Sequence, residues 1–221
     1  MDVVALLLAA GRSERMGTPK ALLPWHGQPL LAHQLQHIQK SRVHECVVVL
    51  GAGAERLQPL VDRSIWPGWK SHAIHNPHHA EGKTTSVIAG LTALPAPPDG
   101  VLVMAVDQPA DWRLLNTLID AADRERDRGQ ACARSTVFLP VFRGRRGHPT
   151  LFSGSLFGEL MGIGEESEGL KAVVRRSPAR VKTIEWDDPS ILVDLNTPFD
   201  ITAPPPGPAS PLSAGRRVVA S

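Results

Sequence analysis

Short apolar runs at residues 3–8, 46–50 and 101–106, with a weaker one at 72–75, alternate with longer stretches in which apolar positions recur every three or four residues. The runs are too short for buried helices and lack the polar alternation of a half-exposed strand, so they predict strands covered on both faces. The intervening stretches, residues 29–40, 54–61, 84–94 and 112–126, predict helices. Leu30, Leu31, Leu35 and Ile38 fall on one face of the first, and Leu114, Leu115, Leu118 and Ile119 on one face of the last. Strand and helix in alternation predict βαβ units, and so an α/β domain whose mostly parallel sheet has both faces covered.

Beyond residue 128 the alternation fails, and residues 137–142, 150–152, 181–185 and 191–193 predict shorter, mixed strands that build the far side of a cleft. Ligands of open α/β sheets sit beyond the carboxyl ends of the strands, which directs attention to the loops after Leu8, His75 and Val106. Residues 203–221 are rich in Pro, Ala and Ser and include Pro204-Pro205-Pro206. They cannot bury enough apolar surface to order themselves and are expected to form a flexible tail to a domain spanning 1–202.

Length and charge narrow the function. A chain of 221 residues with 42% hydrophobic content supports one well-buried core. Twenty-four Lys and Arg against 22 Asp and Glu leave a formal charge of +2, too slight for a nucleic-acid footprint, so anion binding has to be local. Cys46 and Cys132 lie far apart and read as buried free thiols of a reducing compartment. The start lacks a basic leader and no apolar run approaches membrane-spanning length, so a cytoplasmic protein without membrane contact is expected.

The first apolar run empties into Leu8-Ala9-Ala10-Gly11-Arg12-Ser13-Glu14-Arg15-Met16-Gly17-Thr18-Pro19-Lys20. Small residues admit close backbone approach, and three cations gather at the end of a buried strand, which suits a nucleotide's phosphates. A solvated charged loop is the plain alternative. The spacing is not that of a Walker loop, because Thr18-Pro19 separates Gly17 from Lys20, and it lacks the G-x-G-x-x-G of a dinucleotide site.

Leu8-Ala9-Ala10-Gly11 followed by Arg15-x-Gly17-x-x-Lys20 resembles the signature loop of the nucleotidyltransferases that activate sugars, terpenoid precursors and the molybdenum cofactor. The likeness is strongest to the MocA-like molybdenum-cofactor cytidylyltransferases, with the MobA-type guanylyltransferases as near relatives, and runs from about Val3 to Ile201. It implies a three-layer α/β/α, Rossmann-like nucleotidyltransferase fold of the nucleotide-diphospho-sugar transferase kind. It also implies that Leu8, Ala9, Ala10, Gly11, Arg12 and Gly17 surround the nucleotide, with Lys20 on its α-phosphate and Arg15 on the β- and γ-phosphates.

Four further segments extend the resemblance. Met104-Ala105-Val106-Asp107-Gln108-Pro109 places a carboxylate at the end of an apolar strand, where burial is costly unless it binds a cation. It resembles the family's Asp-Gln-Pro signature, implying that Asp107 holds magnesium, although Val106 stands where relatives carry Gly or Cys. Capping of the helix that begins near Asp111 is the alternative role. The stretch from Asn76 to Ser86 runs a loop into a helix and is similar to the family's loop against the nucleobase, implying roles for Asn76, Gly82 and Ser86. Lys83 and Thr84 depart from that pattern and are not carried over; a helix simply capped by Thr84 or Thr85 is the other reading. His72, His75, His78 and His79 straddle a strand and a proline turn, unlike zinc spacings, and read as ordinary exposed histidines.

Gly144-Arg145-Arg146-Gly147-His148-Pro149-Thr150-Leu151-Phe152 sets two arginines between glycines, a compact turn able to grip a phosphate or, failing that, a basic hairpin in solvent. It resembles a segment of the MocA-like branch, implying that Arg145, Arg146, Gly147, His148 and Pro149 face a pterin acceptor. The stretch from Val193 to Asp200 is similar to the family's terminal motif, implying Asp194 as a second metal ligand with Asn196 in support; Asn196-Thr197-Pro198 also reads as a plain helix start.

The resemblance therefore implies Mg2+-assisted, in-line attack of an acceptor phosphate on the α-phosphorus of a nucleoside triphosphate, CTP favoured over GTP, with pyrophosphate leaving. The implied acceptor is molybdopterin carrying molybdenum and the implied client a molybdenum hydroxylase. Alternatives are a GTP-dependent MobA-type enzyme, a nucleotidyltransferase acting on a sugar phosphate or another small phosphorylated molecule, and a non-catalytic carrier of the pterin cofactor.

Overall fold

A computed structural model describes residues 1–11, 17–127, 135–176 and 180–195. Strand β1 (Val3–Ala9) is followed by a small hairpin, β2 (Pro24–Trp25) and β3 (Gln28–Pro29), and by helix α1 (Leu30–Lys40). The alternation continues through β4 (Glu45–Leu50), α2 (Ala54–Ser64), β5 (Lys70–His75), α3 (Lys83–Thr92), β6 (Gly100–Ala105) and α4 (Trp112–Asp127). The second half contributes β7 (Val137–Phe142), β8 (Arg145–Arg146), β9 (Thr150–Ser153), α5 (Phe157–Met161), α6 (Leu170–Arg176) and β10 (Val181–Glu185).

One eight-stranded sheet runs in the order β10-β7-β9-β6-β1-β4-β5, with β8 added to β7. Strands β6, β1, β4 and β5 are mutually parallel, as expected; β9 enters antiparallel between β6 and β7 and breaks the βαβ rhythm. The uninterrupted apolar runs follow from burial on both faces. Ala5 and Leu7 of β1 join Cys46, Val48, Leu102 and Met104 under α1, α2 and α4. Val4 and Leu6 point the other way with Val47, Val49, Val101 and Val103, under α3, α5 and α6. Each such Val or Leu contributes about 1.5–3 kcal/mol relative to exposure, which offsets the loss of any polar face in the central strands. Three layers result, α/β/α, and the parallel strands end along one edge, delivering the loops after Ala9, Leu50, His75 and Ala105 together.

Residues 191–193, expected as a strand, are not one. A 3-10 turn spans Pro189–Leu192, with Pro189 at its first position and the Asp188 carboxylate accepting from the Ser190 amide at 2.8 Å. Local capping wins over the apolar triplet, and Ile191 alone of the three is buried. Cys46 is a free, buried thiol whose pKa burial pushes up to about 12. Cys132 and the proposed tail, 203–221, lie outside the described residues. No helix among the described residues is long and apolar enough to cross a membrane.

Candidate active site

A cleft of about 340 Å³ opens where β1 and β6 end side by side, a size suited to a small ligand. Leu8, Ala9, Ala10 and Gly11 line it, and Lys20 and Asp107 close one side. Lys20 opens a 3-10 turn, Lys20–Leu22, anchored by buried Ala21 and by Leu22 N donating to Pro19 O at 2.9 Å. From there its Nζ donates to Asp107 Oδ2 at 2.7 Å, both side chains being largely shielded from solvent. Asp107 itself sits in the turn after β6, held by Val106 N on Leu8 O at 3.0 Å and Gln108 N on Ala105 O at 3.1 Å. It does not cap α4: the Asp111 carboxylate does, accepting from Arg113 N at 2.7 Å.

Gly82, Lys83, Ser86 and His79 form another wall. Gly82 has φ of +130°, open to glycine at little cost, and a Cβ there would lie 2.2 Å from Glu165 Cδ. That space admits Glu165, whose Oε1 accepts from Thr84 N at 2.7 Å and Thr84 Oγ1 at 2.5 Å. These two hydrogen bonds hold the Glu165 carboxyl below the usual carboxylate range. The cap of α3 is therefore a distant carboxylate rather than the Thr84 or Thr85 hydroxyl.

Asn76 lies behind this wall rather than in it. Its Nδ2 donates to Thr85 Oγ1 at 2.9 Å and Ser86 Oγ at 3.0 Å, and its Oδ1 accepts from His78 N at 2.9 Å. The fully buried amide organises the loop, and the cleft meets Ser86 instead. Gly17, exposed at φ +63°, does not line the cleft.

The second-half motifs converge on the same edge without lining the cleft. Gly147 N donates to Pro140 O and His148 N to Ile191 O, each at 2.9 Å, and Leu195 N donates to Asp107 O at 2.9 Å. The arginine segment is thus joined to Ile191, just before the last motif, and Asp194 is brought beside the Asp107 turn with its side chain exposed. A Cβ on Gly147 would meet Ile191 O at 2.5 Å, which explains the glycine. Arg145 and Arg146 are exposed on β8, Pro149 is buried, and among the described residues neither guanidinium has an ion-pair partner. His148 keeps a solvent-exposed edge, yet burial lowers its pKa, with Asp194 and Asp107 opposing and Lys83 adding to the shift. Arg12, Arg15 and Asn196 lie outside the described residues.

Three contributors escaped the sequence reading. Lys83 presents a second cation at the cleft, and a lysine one residue after a loop glycine at a helix start was the available signal. His79 lines the cleft with Nδ1 3.0 Å from Asn76 O, so it is not merely an exposed histidine. Gly51 lets the strand-end loops meet: a Cβ there would be 2.6 Å from Ala10 O and 2.7 Å from His79 Cβ.

The MobA-like NTP transferase domain matches residues 5–181, from within β1 to the start of β10. The chain belongs to this family. Among its relatives, a nicotine blue oxidoreductase from Paenarthrobacter nicotinovorans is 29% identical over 197 residues, covering 88% of this chain and 92% of that protein. A molybdenum cofactor guanylyltransferase from Pseudomonas fluorescens is 28% identical over 206 residues, 87% of this chain and 88% of its own. In three dimensions, a nucleotidyl transferase from Methanothermobacter superposes with a TM-score of 0.72 at 24% identity, covering 90% of this chain and 94% of that one. The fold of this MobA-like chain is accordingly that of the nucleotide-diphospho-sugar transferases.

Proposed function

We propose that this MobA-like chain transfers a nucleotidyl group from a nucleoside triphosphate, CTP favoured, to the phosphate of a molybdopterin-type acceptor, releasing pyrophosphate. The observation that carries the reading is the Lys20–Asp107 pair at 2.7 Å on the rim of a cleft floored by strand-end backbone. An ammonium and a carboxylate side by side supply a counter-charge for the reacting phosphate and an oxygen ligand for its metal.

Mg2+ fits this donor set. Among the described residues no three His, Cys, Asp or Glu side chains converge on one metal position, and the oxygens assigned to the cation are those of Asp107 and Asp194, with phosphate and water for the rest. That is the habit of magnesium, which keeps several waters and few carboxylates. Bound there, the ion would neutralise charge on the phosphates during transfer.

The acceptor oxygen attacks the α-phosphorus while the bond to the bridging oxygen of pyrophosphate breaks. Lys20 balances charge on the α-phosphate, and Arg15 and Arg12 are assigned to the leaving phosphates. Gly11, Gly82 and Ser86 meet the nucleoside. Arg145 and Arg146, exposed beside His148, receive the acceptor, with Asn196 in support. His148, its pKa lowered chiefly by burial, is neutral at neutral pH and accepts or donates one hydrogen bond there.

Pyrophosphate release by the purified protein with molybdopterin and Mg2+ tests the reading, CTP against GTP, with Lys20→Ala as control. Release with CTP abolished in the control supports it, and release with GTP alone moves the chain to the guanylyl branch. No pyrophosphate with either nucleotide would overturn it and turn attention to the redox activity that the name of the Paenarthrobacter relative states. The match to an NTP transferase domain over residues 5–181 supports transfer.

A further inference from the structure

Gln34 is a polar residue on the buried face of α1, flanked by Leu30, Leu31, Leu35 and Ile38, and it is fully shielded from solvent. A carboxamide in that position is unfavourable unless every donor and acceptor is satisfied. Its Nε2 lies 3.0 Å from Gln108 O, 3.3 Å from Ala105 O and 3.4 Å from Val106 O, and its Oε1 accepts from Ala110 N at 3.3 Å. Only this orientation of the amide is consistent with three carbonyls on one side and an N–H on the other.

The contacts matter because of where they fall. Strand β6 ends at Ala105 and α4 begins at Trp112; between them Val106 N still reaches Leu8 O of β1 at 3.0 Å and Asp111 O receives Leu115 N of α4 at 3.2 Å, but the carbonyls of the turn itself lie beyond both ladder and helix. Asp107 O is taken by Leu195 N at 2.9 Å, and Ala105 O also receives Gln108 N at 3.1 Å. The Val106 and Gln108 carbonyls fall to Gln34. The backbone of the turn is tied to α1 on one side, while the Asp107 side chain reaches Lys20 at the cleft on the other.

We infer that Gln34 is a positioning residue for the active site: its side chain clamps the turn 105–110 and so sets the Asp107 carboxylate against Lys20 and the metal site. The functional part rests on the nucleotidyl-transfer reading; the clamping part does not. Removing the amide while keeping the volume frees the carbonyls and lets Asp107 move, which harms the transition state more than nucleotide binding, since the nucleotide also contacts the loops after Ala9 and Gly82.

The test is Gln34→Met in the full chain, read two ways. Amide hydrogen exchange should quicken at residues 106–110 by roughly tenfold or more, a hydrogen-bond-sized effect, with the β1 and β4 amides unchanged. Pyrophosphate release should show kcat reduced by about tenfold or more, the Mg2+ concentration for half-maximal rate raised, and the nucleotide KM within about threefold. Unchanged exchange at 106–110 overturns the clamp. Faster exchange with unaltered kcat and Mg2+ midpoint overturns the positioning role. If the wild type itself releases no pyrophosphate, the transfer reading fails while the exchange result still decides the clamp. Should Gln34→Met not fold, Gln34→Glu serves: its ionised carboxylate opposes three carbonyls, so protection at 106–110 should be restored as pH falls and the carboxyl regains a donor. A pH-independent pattern in that variant would overturn the inference.

Discussion

Lys20 Nζ lies 2.7 Å from Asp107 Oδ2, an ion pair between segments 87 residues apart in the chain that meet only because β1 and β6 are neighbours. On the proposed reading, the contact puts a cation and its counter-anion at the point where a triphosphate would be attacked. Lys20→Ala and Asp107→Asn should each lower kcat for pyrophosphate release by about 10²–10³-fold, the size of losing one preorganised charge in a transition state. Each side chain keeps 17% of its surface in solvent, enough for the remaining partner to be rehydrated, so both variants should keep their thermal midpoints within about 5 °C of wild type by calorimetry. A loss of activity matched by a collapse of the midpoint would assign the pair to folding instead.

Gly82→Ala would set a Cβ 2.2 Å from the Glu165 carboxyl and hold a non-glycine residue at φ +130°. The variant should lose about 1–3 kcal/mol by denaturant titration. Glu165→Ala, which deletes the carboxylate cap of Thr84, should lose about 0.5–2 kcal/mol. Combined, they should cost less than their sum, because the second substitution removes the obstacle met by the first. Strict additivity would show that the Cβ clash is relieved elsewhere.

How much of this was visible beforehand follows from the range of each interaction. The central strands were legible because double-sided burial leaves an unbroken apolar run, as at Val47 to Leu50, and the helices because burial on one side leaves a period. The loops after β1 and β6 were legible from chemistry: Lys20 and Asp107 had no apolar role to play. Gln34 and Glu165 were not, because each acts on backbone 71 to 81 residues away with no local spacing to mark it. Residues 191–193 misled because an apolar triplet scores as a strand, whereas Pro189 and the Asp188 cap act on the backbone just before it. The antiparallel entry of β9 was equally hidden, since strand direction leaves no trace in composition.

The arginine hairpin gives a separable prediction. Arg145 and Arg146 are exposed, without ion-pair partners among the described residues, and lie outside the cleft at the ends of β1 and β6. Arg145→Ala and Arg146→Ala should each raise the acceptor KM by about tenfold or more, as for a lost charge-assisted hydrogen bond, with the nucleotide KM within about twofold. A rise in the nucleotide KM instead would move these arginines to the triphosphate side.

The imidazoles of His26, His33 and His37 stack in a row beside Gln34, with ring centroids 5.3 Å and 4.4 Å apart. Burial, then the neighbouring His37 and His26, lower the His33 pKa to about 4; burial also lowers that of His37, where Asp111 opposes and Lys40 and Arg113 add. Unfolding releases both rings toward 6.5, so between pH 6.5 and about 4 the unfolded chain binds more protons than the folded one. Stability is therefore intact above pH 6.5 and declines as pH falls through that window. The His33 share should be on the order of 1–2 kcal/mol by pH 5, seen as a thermal midpoint several degrees lower than at pH 7. His33→Gln should flatten that slope, because a neutral amide has no proton to gain. An equal slope in the variant would place the acid sensitivity elsewhere. Because α1 carries both the stacked rings and Gln34, charging the rings should also loosen the Asp107 turn, and hydrogen exchange at residues 106–110 should quicken with acid in wild type beyond its intrinsic pH dependence and less so in His33→Gln.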